Sequence, residues 1–183
     1  MDRPDMLRAV RELAKGLKTP TVSHWGQLKR AARYLIGYPR LVQTIPYQDS
    51  VSQILGWSGS DHACCIRTRK STTGRAIQLG RSVIKAQAKG QAVIARSTGA
   101  AAYYGLISTS CQALGEQAMM ADWDVRLPVT ICMDASTGIS IGSRRGLGKV
   151  KHIETCFLWV QELIENQRRK LKKVHTGDMR ADL

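Results

Sequence analysis

Long apolar runs, metal-type cysteine pairs and acidic residues are all scarce in this sequence. No apolar run approaches the roughly 18 residues that a membrane-spanning helix needs, and no signal peptide opens the chain. The five cysteines include no C-x-x-C pair and no Cys/His ladder with zinc spacing. We therefore expect reduced thiols in an intracellular protein, cytoplasmic or nuclear, that neither spans nor binds a membrane.

Acidic residues are few relative to basic ones. The 183 residues carry 28 Lys and Arg against 14 Asp and Glu, which gives a formal net charge of +14. A surplus of this size favours a polyanionic partner, most often nucleic acid. The hydrophobic content of 43% is enough for a core, so the length suits one ordinary domain with a small appendage.

Hydrophobic spacing predicts helices first, then strands, then an alternation of the two. Residues 1–45 predict two basic helices that are broken at Thr19-Pro20. Further along, the pattern predicts three antiparallel strands between 51 and 88, a long helix from Ser97 to about 122, a strand at 127–133, helices at 135–141 and 153–166, and an edge strand at 167–173. This order indicates an α/β protein with a mixed sheet and helices on its faces.

Asp134 stands where a predicted strand ends and a small-residue helix begins. Open α/β sheets place their ligands at the carboxyl ends of strands. The segment 142–151 that follows is basic and rich in glycine, which suits phosphate. The alternative is that Asp134 only caps the following helix. No G-x-S-x-G elbow, G-x-x-x-x-G-K-[ST] loop or paired polymerase-type aspartates are present.

Several motifs, in order, resemble the ribonuclease H domain at the C-terminal end of copia-type retrotransposon Pol polyproteins. Residues 69–74 (RKSTTG) are similar to the family's R-[KR]-S-T-S-G turn, and Ser97 to Tyr104 resembles its S-x-x-E-A-E-Y helix start. Residues 143–154 resemble its S-R-x-x-K-H-I-[DE] segment. The resemblance implies a ribonuclease H-like mixed five-stranded sheet over residues 46–183, truncated at the C-terminus. It also implies that residues 1–45 are a helical connection following a polymerase.

The chemistry that the resemblance implies is hydrolysis of the RNA strand of an RNA–DNA hybrid with Mg²⁺ or Mn²⁺. Two metal ions need several carboxylates at one place. Asp134 and Asp182 match two of the family's four acidic positions and are the expected catalytic residues and metal ligands. The other two positions, on the first strand and the long helix, hold Gly59 and Ala102.

Asp61 is the candidate substitute for the acid missing at Gly59. On a straight strand it would face the same side, but about 6.6 Å further along. Substitution would therefore need a β-bulge, which Gly59 could permit. The next acid along the helix after Ala102 is Glu116, about 21 Å away, so no neighbour replaces the missing glutamate.

We therefore expect a ribonuclease H-like domain that binds RNA–DNA hybrid or other nucleic acid without sequence preference and is catalytically impaired. The alternatives are an active metal-dependent ribonuclease H, and a remnant that only packs within a larger polyprotein. The upstream reverse transcriptase part of a polyprotein is a candidate protein partner. Eight basic residues are candidates for phosphate contacts, each against the alternative of a solvated surface charge: Arg67, Arg69, Lys70, Arg75, Arg144, Arg145, Lys149 and Lys151.

Overall fold

The computed structural model describes residues 3–166 and 169–181, which form a five-stranded sheet with helices on both faces. The α-helices are α1 (Leu7–Ala14), α2 (Val22–Gly37), α3 (Thr98–Ala121), α4 (Ser136–Gly142) and α5 (Trp159–Glu165). The strands are β1 (Ile54–Ser60), β2 (Thr72–Leu79), β3 (Ser82–Gly90), β4 (Val129–Met133) and β5 (Arg169–Lys173). Short 3-10 turns occupy Pro4–Met6, Thr155–Phe157 and Thr176–Asp178.

The sheet is mixed, as the order of elements predicts. Its strand order is β3-β2-β1-β4-β5. The β1–β2 and β2–β3 pairs are antiparallel, whereas β4 joins β1, and β5 joins β4, in parallel. Gly80, with φ at +54°, lies in the tight turn between β2 and β3, where a side chain would be strained.

The first face of the sheet is covered by α3, which carries the main core. Ser97 caps this helix, as predicted, because its hydroxyl accepts a hydrogen bond from the backbone N–H of Ala100 at 3.1 Å. Tyr103 is fully buried and donates its hydroxyl to the carbonyl oxygen of Phe157 at 2.9 Å. Burial raises the pKa of Tyr103 to about 12, so the phenol stays neutral and holds α3 to the C-terminal segment.

The second face of the sheet is covered by parts of the chain from its two ends. Trp57 and Cys132 form a second core cluster with Met179 and Ala181, against which Leu7 of α1 packs. Arg11 of α1 donates a hydrogen bond to the hydroxyl of Thr72 at 2.6 Å. The first helix is therefore attached directly to the sheet. These contacts join positions far apart in the sequence, so local periodicity gives no sign of them.

The structure shortens one predicted helix and describes only part of one predicted strand. The helix predicted at 153–166 is a 3-10 turn followed by the shorter α5, and the edge strand predicted from 167 is described only from Arg169. All five cysteines are unpaired. Among the residues that the structure describes, no helix is both long enough and apolar enough to cross a bilayer.

Candidate active site and nucleic-acid interface

Gly59 near the end of β1 and Asp134 just after β4 hold equivalent positions when the β1–β4 register is extended by two residues. The parallel β1–β4 register pairs Ile54 with Val129 and ends at Trp57 with Cys132. Gly59, still on β1, and Asp134, the first residue after β4, each come two residues beyond this last pair. Side chains alternate along a strand, so both positions face the same side as Trp57 and Cys132, namely the second face.

Asp134 is half-buried and does not act as a helix cap. One of its carboxylate oxygens accepts a hydrogen bond from the hydroxyl of Thr176 at 3.3 Å. The N-cap position of α4 is Ala135, and no side chain makes a capping hydrogen bond there. The capping alternative is therefore not what the structure shows. Asp134 is held at the carboxyl end of its strand, beside the turn formed by Thr176–Asp178.

Asp61 does not move back toward Gly59 through a bulge. The β1–β2 register runs without a shift from Ile54 opposite Leu79 to Ser60 opposite Thr73. Beyond it, the Asp61 carboxylate accepts a hydrogen bond from the backbone N–H of Thr72 at 2.6 Å. The backbone N–H of Asp61 also donates to the carbonyl oxygen of Thr72 at 3.1 Å, so the ladder continues by one residue. Asp61 is thus anchored to β2, two residues beyond the position of the missing acid.

Ala102 is buried beneath α4. Only 5% of it is exposed, and a Cβ placed on Gly138 of α4 would lie 2.9 Å from the Ala102 Cβ. Such close packing leaves no space for a longer side chain without movement of α4. Glu116 lies further along α3, where it is 8% exposed and pairs with Lys85 at 3.3 Å. It has a structural role and is no substitute for the missing acid.

A cavity of about 730 Å³ lies between α1 and the second face of the sheet. Gly59 and Asp61 line it from β1 and the residue that follows, and α1 with the turn before it contributes Asp5, Arg8 and Glu12. Both carboxylates from this side are already in ion pairs: Asp5 with Arg3 at 2.7 Å, and Glu12 with Arg11 and Lys15. The hydrogen bond from Arg3 lowers the pKa of Asp5 to about 2, so this acid stays ionised.

The residues described do not fit a two-metal centre. Within 3–166 and 169–181, no group of three or more His, Cys, Asp or Glu side chains is placed to hold a metal ion. Asp182, the second predicted ligand, lies outside the described residues. Ala181, the residue before it, lies directly against Gly74. A Cβ built on Gly74 would be 2.1 Å from the carbonyl oxygen of Ala181. Gly74 in turn pairs with Gly59 across the β1–β2 ladder.

The loop between β1 and β2 presents three of the predicted phosphate ligands. Arg67 and Arg69 are exposed and Lys70 is half-buried. Arg67 donates a long hydrogen bond of 3.4 Å to the carbonyl oxygen of Lys15, which joins this loop to the end of α1. Arg69 has a positive φ of 55°, so the loop turns sharply at that residue.

Two other predicted phosphate ligands make internal contacts. Arg75 of β2 is half-buried, and its guanidinium donates to the carbonyl oxygen of Ser108 at 3.1 Å and to the side chains of Ser108 and Gln87. Burial lowers the pKa of Arg75 from its usual value, although the group stays charged. Arg144 donates to the carbonyl oxygen of Leu147 at 2.6 Å and folds over its own loop.

The remaining candidates lie on the surface of the segment after α4. Arg145 is largely exposed and lies 3.6 Å from Glu165, an ion pair that contributes little in water. Lys149 and Lys151 are exposed. The structure thus leaves six of the eight predicted ligands at or near the surface, in two loops of the chain.

Two contacts at the site have no local signal in the sequence. Thr176 bonds to Asp134 across 42 residues, and Arg11 bonds to Thr72 across 61. Composition and periodicity report on neighbours along the chain, so they cannot place α1 beside β1 and β2. The α1 residues that line the cavity are therefore visible only in the structure.

Comparisons of the sequence with known proteins find relatives among retrotransposon polyproteins. No protein-family model matches the chain. The retrovirus-related Pol polyprotein of transposon TNT 1-94 from Nicotiana tabacum is 25% identical over 183 residues, covering 99% of this chain and 14% of the polyprotein. The retrovirus-related Pol polyprotein of transposon RE2 from Arabidopsis thaliana is 26% identical over 183 residues, covering 98% of this chain and 12% of the polyprotein. The chain thus spans a small part of these relatives.

A solved structure shows the same fold. The N-terminal RNase H domain of rv2228c from Mycobacterium tuberculosis, determined as a fusion with maltose-binding protein, superposes with a TM-score of 0.51 at 16% identity. The match covers 71% of this chain and 86% of that one. At this level of identity the likeness shows the fold alone.

Proposed function

From the premise that the homologues of this chain are Pol polyproteins of copia-type retrotransposons and that its fold is that of ribonuclease H, we propose a nucleic-acid-binding module with impaired catalysis. In this proposal residues 46–183 are the ribonuclease H-like domain and residues 1–45 the connection that precedes it. The ligand is an RNA–DNA hybrid or another nucleic acid, bound through its backbone. The upstream reverse transcriptase part of a polyprotein is the proposed protein partner.

One feature carries the proposed loss of catalysis: extending the β1–β4 register by two residues brings a glycine opposite Asp134. The continued β1–β4 register sets Gly59, which has no side chain, at the level of Asp134. A two-metal hydrolysis needs carboxylates on both sides of the ions. Asp61 is held by the Thr72 amide and Ala102 is buried under α4, so neither position supplies the second acid.

Electrostatics supports the proposed binding. The net charge of +14 attracts a phosphate backbone without reading its sequence. Arg67, Arg69 and Lys70 in the β1–β2 loop are the strongest candidates, together with Lys149 and Lys151 after α4. Arg75 and Arg144 are weaker candidates for direct phosphate contacts because their guanidinium groups already bond within the fold.

A labelled RNA–DNA hybrid tests the binding half of the proposal. We expect fluorescence anisotropy to report an affinity that falls steeply between about 50 and 200 mM salt, with equal affinity for unrelated sequences of the same length. Replacing Lys149 by Ala should reduce the salt slope by about one unit or less. Binding that is insensitive to salt, or that depends on base sequence, would contradict the proposal.

A further inference from the structure

The helix α2 turns its apolar side away from the rest of the protein. Val22, Trp25, Leu28, Leu35 and Ile36 recur at helical spacing and form one stripe. None of the 16 residues of α2 is buried, and Ile36 is 80% exposed and Trp25 57%. An amphipathic helix normally buries such a stripe against its own domain. We refer to these five residues as the α2 stripe.

The opposite side of α2 is the one that faces α1. Gln27, Arg30, Ala31 and Tyr34 line an open groove of about 460 Å³ together with residues of the first helix. The attachment is polar, since the Tyr34 hydroxyl donates to the Asp5 carboxylate at 2.9 Å. The orientation of α2 is therefore fixed by its polar side, and this leaves the α2 stripe facing solvent.

The charge around the stripe is of one sign. From residue 13 to residue 48 the chain has no Asp or Glu, but it carries Lys15, Lys18, Lys29, Arg30, Arg33 and Arg40. Lys29 lies 5.4 Å from the centre of the Trp25 ring, and Arg33 is one turn further along the same edge. A second copy of this chain would bring like charges together, so the complementary surface is an acidic one.

Two further apolar side chains are exposed on the segment that follows the helix. Ile45 and Tyr47 are 69% and 88% exposed, on a segment that has no regular secondary structure. Irregular backbone cannot enter a lipid core with its polar groups unsatisfied, which argues against a bilayer as the occupant. The predominance of aliphatic side chains argues against nucleic acid, which favours aromatic stacking.

We propose that the α2 stripe is the docking site of a protein helix that has an apolar stripe of its own and acidic residues along its edge. The stripe is about 21 Å long from Val22 to Ile36, which corresponds to four turns of a partner helix. The relatives leave much chain from which such a helix could come, since this chain covers 12% to 14% of them. The inference is independent of nucleic-acid binding.

A synthetic helical peptide tests this docking without any nucleic acid present. The probe is a labelled 21-residue peptide with Leu at helical spacing and Glu along both flanks, and its matched control has Lys in place of every Glu. We expect the full chain to bind the Glu peptide and not the Lys peptide in an anisotropy titration. Leu28→Ser and Ile36→Ser should each weaken binding about tenfold, since each removes a side chain that the complex buries.

Two further variants make the test specific. Ile66→Ser removes another exposed aliphatic side chain, 91% exposed against 80% for Ile36, from the β1–β2 loop and should leave peptide binding unchanged. Lys29→Glu combined with Arg33→Glu should reverse the preference from the Glu peptide to the Lys peptide. Circular dichroism of each variant verifies that its helix content equals that of the parent chain.

Several results would overturn the docking proposal. Equal binding of the two peptides, or an unchanged affinity after Ile36→Ser, would remove its basis. Concentration-dependent dimerisation that Ile36→Ser abolishes would assign the stripe to a second copy of the chain. Binding to phosphatidylserine vesicles or to a single-stranded oligonucleotide that depends on the stripe, without binding of the Glu peptide, would assign it to lipid or to nucleic acid.

Discussion

Replacing Arg75 by Ala separates a structural arginine from a phosphate ligand. Arg75 lies on β2 in the interior of the sheet, and its guanidinium bonds to Ser108 on α3 and to Gln87 on the neighbouring strand β3. The side chain thus joins the sheet to the helix that carries the main core. Its removal breaks these hydrogen bonds and leaves the half-buried Ser108 without this donor.

The expected loss of stability follows from these contacts. Hydrogen bonds that involve a charged group contribute about 1.5–3 kcal/mol each, and partial exposure reduces the effect, so we expect Arg75→Ala to cost about 2 kcal/mol. For a chain of this size that is a fall in Tm of about 4–8 °C. Lys149→Ala is the matched control, because Lys149 is exposed, and it should change stability by less than about 0.5 kcal/mol.

Two measurements on both variants distinguish a structural role of Arg75 from a phosphate contact. Urea or thermal unfolding followed by circular dichroism gives the stability, and anisotropy with a labelled hybrid at several salt concentrations gives the number of phosphate contacts. We expect a lower stability with an unchanged salt slope for Arg75→Ala, and the reverse for Lys149→Ala. An unchanged Tm together with a reduced salt slope for Arg75→Ala would refute the structural assignment.

Three further predictions concern single positions. Ala102→Glu should destabilise the protein by at least about 2 kcal/mol in urea unfolding, because it places an unpaired carboxylate against Gly138; an unchanged midpoint would show that α4 moves aside. A hydrogen bond with Thr68 lowers the pKa of the Cys65 thiol to about 7. The alkylation rate of Cys65, followed by mass spectrometry, should therefore reach half its maximum near pH 7, and Thr68→Val should raise that midpoint pH. Ser97→Ala removes the cap of α3 and should cost about 1 kcal/mol, whereas an equal loss in Ser97→Gly would count against a capping role.

The order of elements could be predicted from the sequence because each element has its own local signal. The two N-terminal helices, the Ser97 cap and the strand that leads to Asp134 all follow from spacing and turn residues. The helix at 153–166 was predicted as one piece, but it is a 3-10 turn followed by a shorter helix. Helix ends are set by competing tertiary contacts, which periodicity does not report.

The candidate site was predictable only in part, because it depends on register and packing. Family resemblance identifies Gly59 as the position of a missing acid, but its place beside Asp134 follows from the β1–β4 register. Periodicity predicts that Arg75 lies on a strand, but nothing in the sequence shows that its guanidinium bonds within the fold whereas Arg67 is exposed. The side of α2 that packs was likewise not predictable, because an apolar stripe normally faces inward and this one does not.

The proposed loss of catalysis is tested most directly by incubating the parent chain and Asp134→Asn with a labelled RNA–DNA hybrid in Mg²⁺ and then in Mn²⁺. An active ribonuclease H serves as the positive control for hybrid and buffer. We expect both forms to bind the hybrid and neither to cut its RNA strand, since Gly59 leaves Asp134 without a partner acid on β1. Metal-dependent cleavage by the parent chain that Asp134→Asn abolishes would contradict the account.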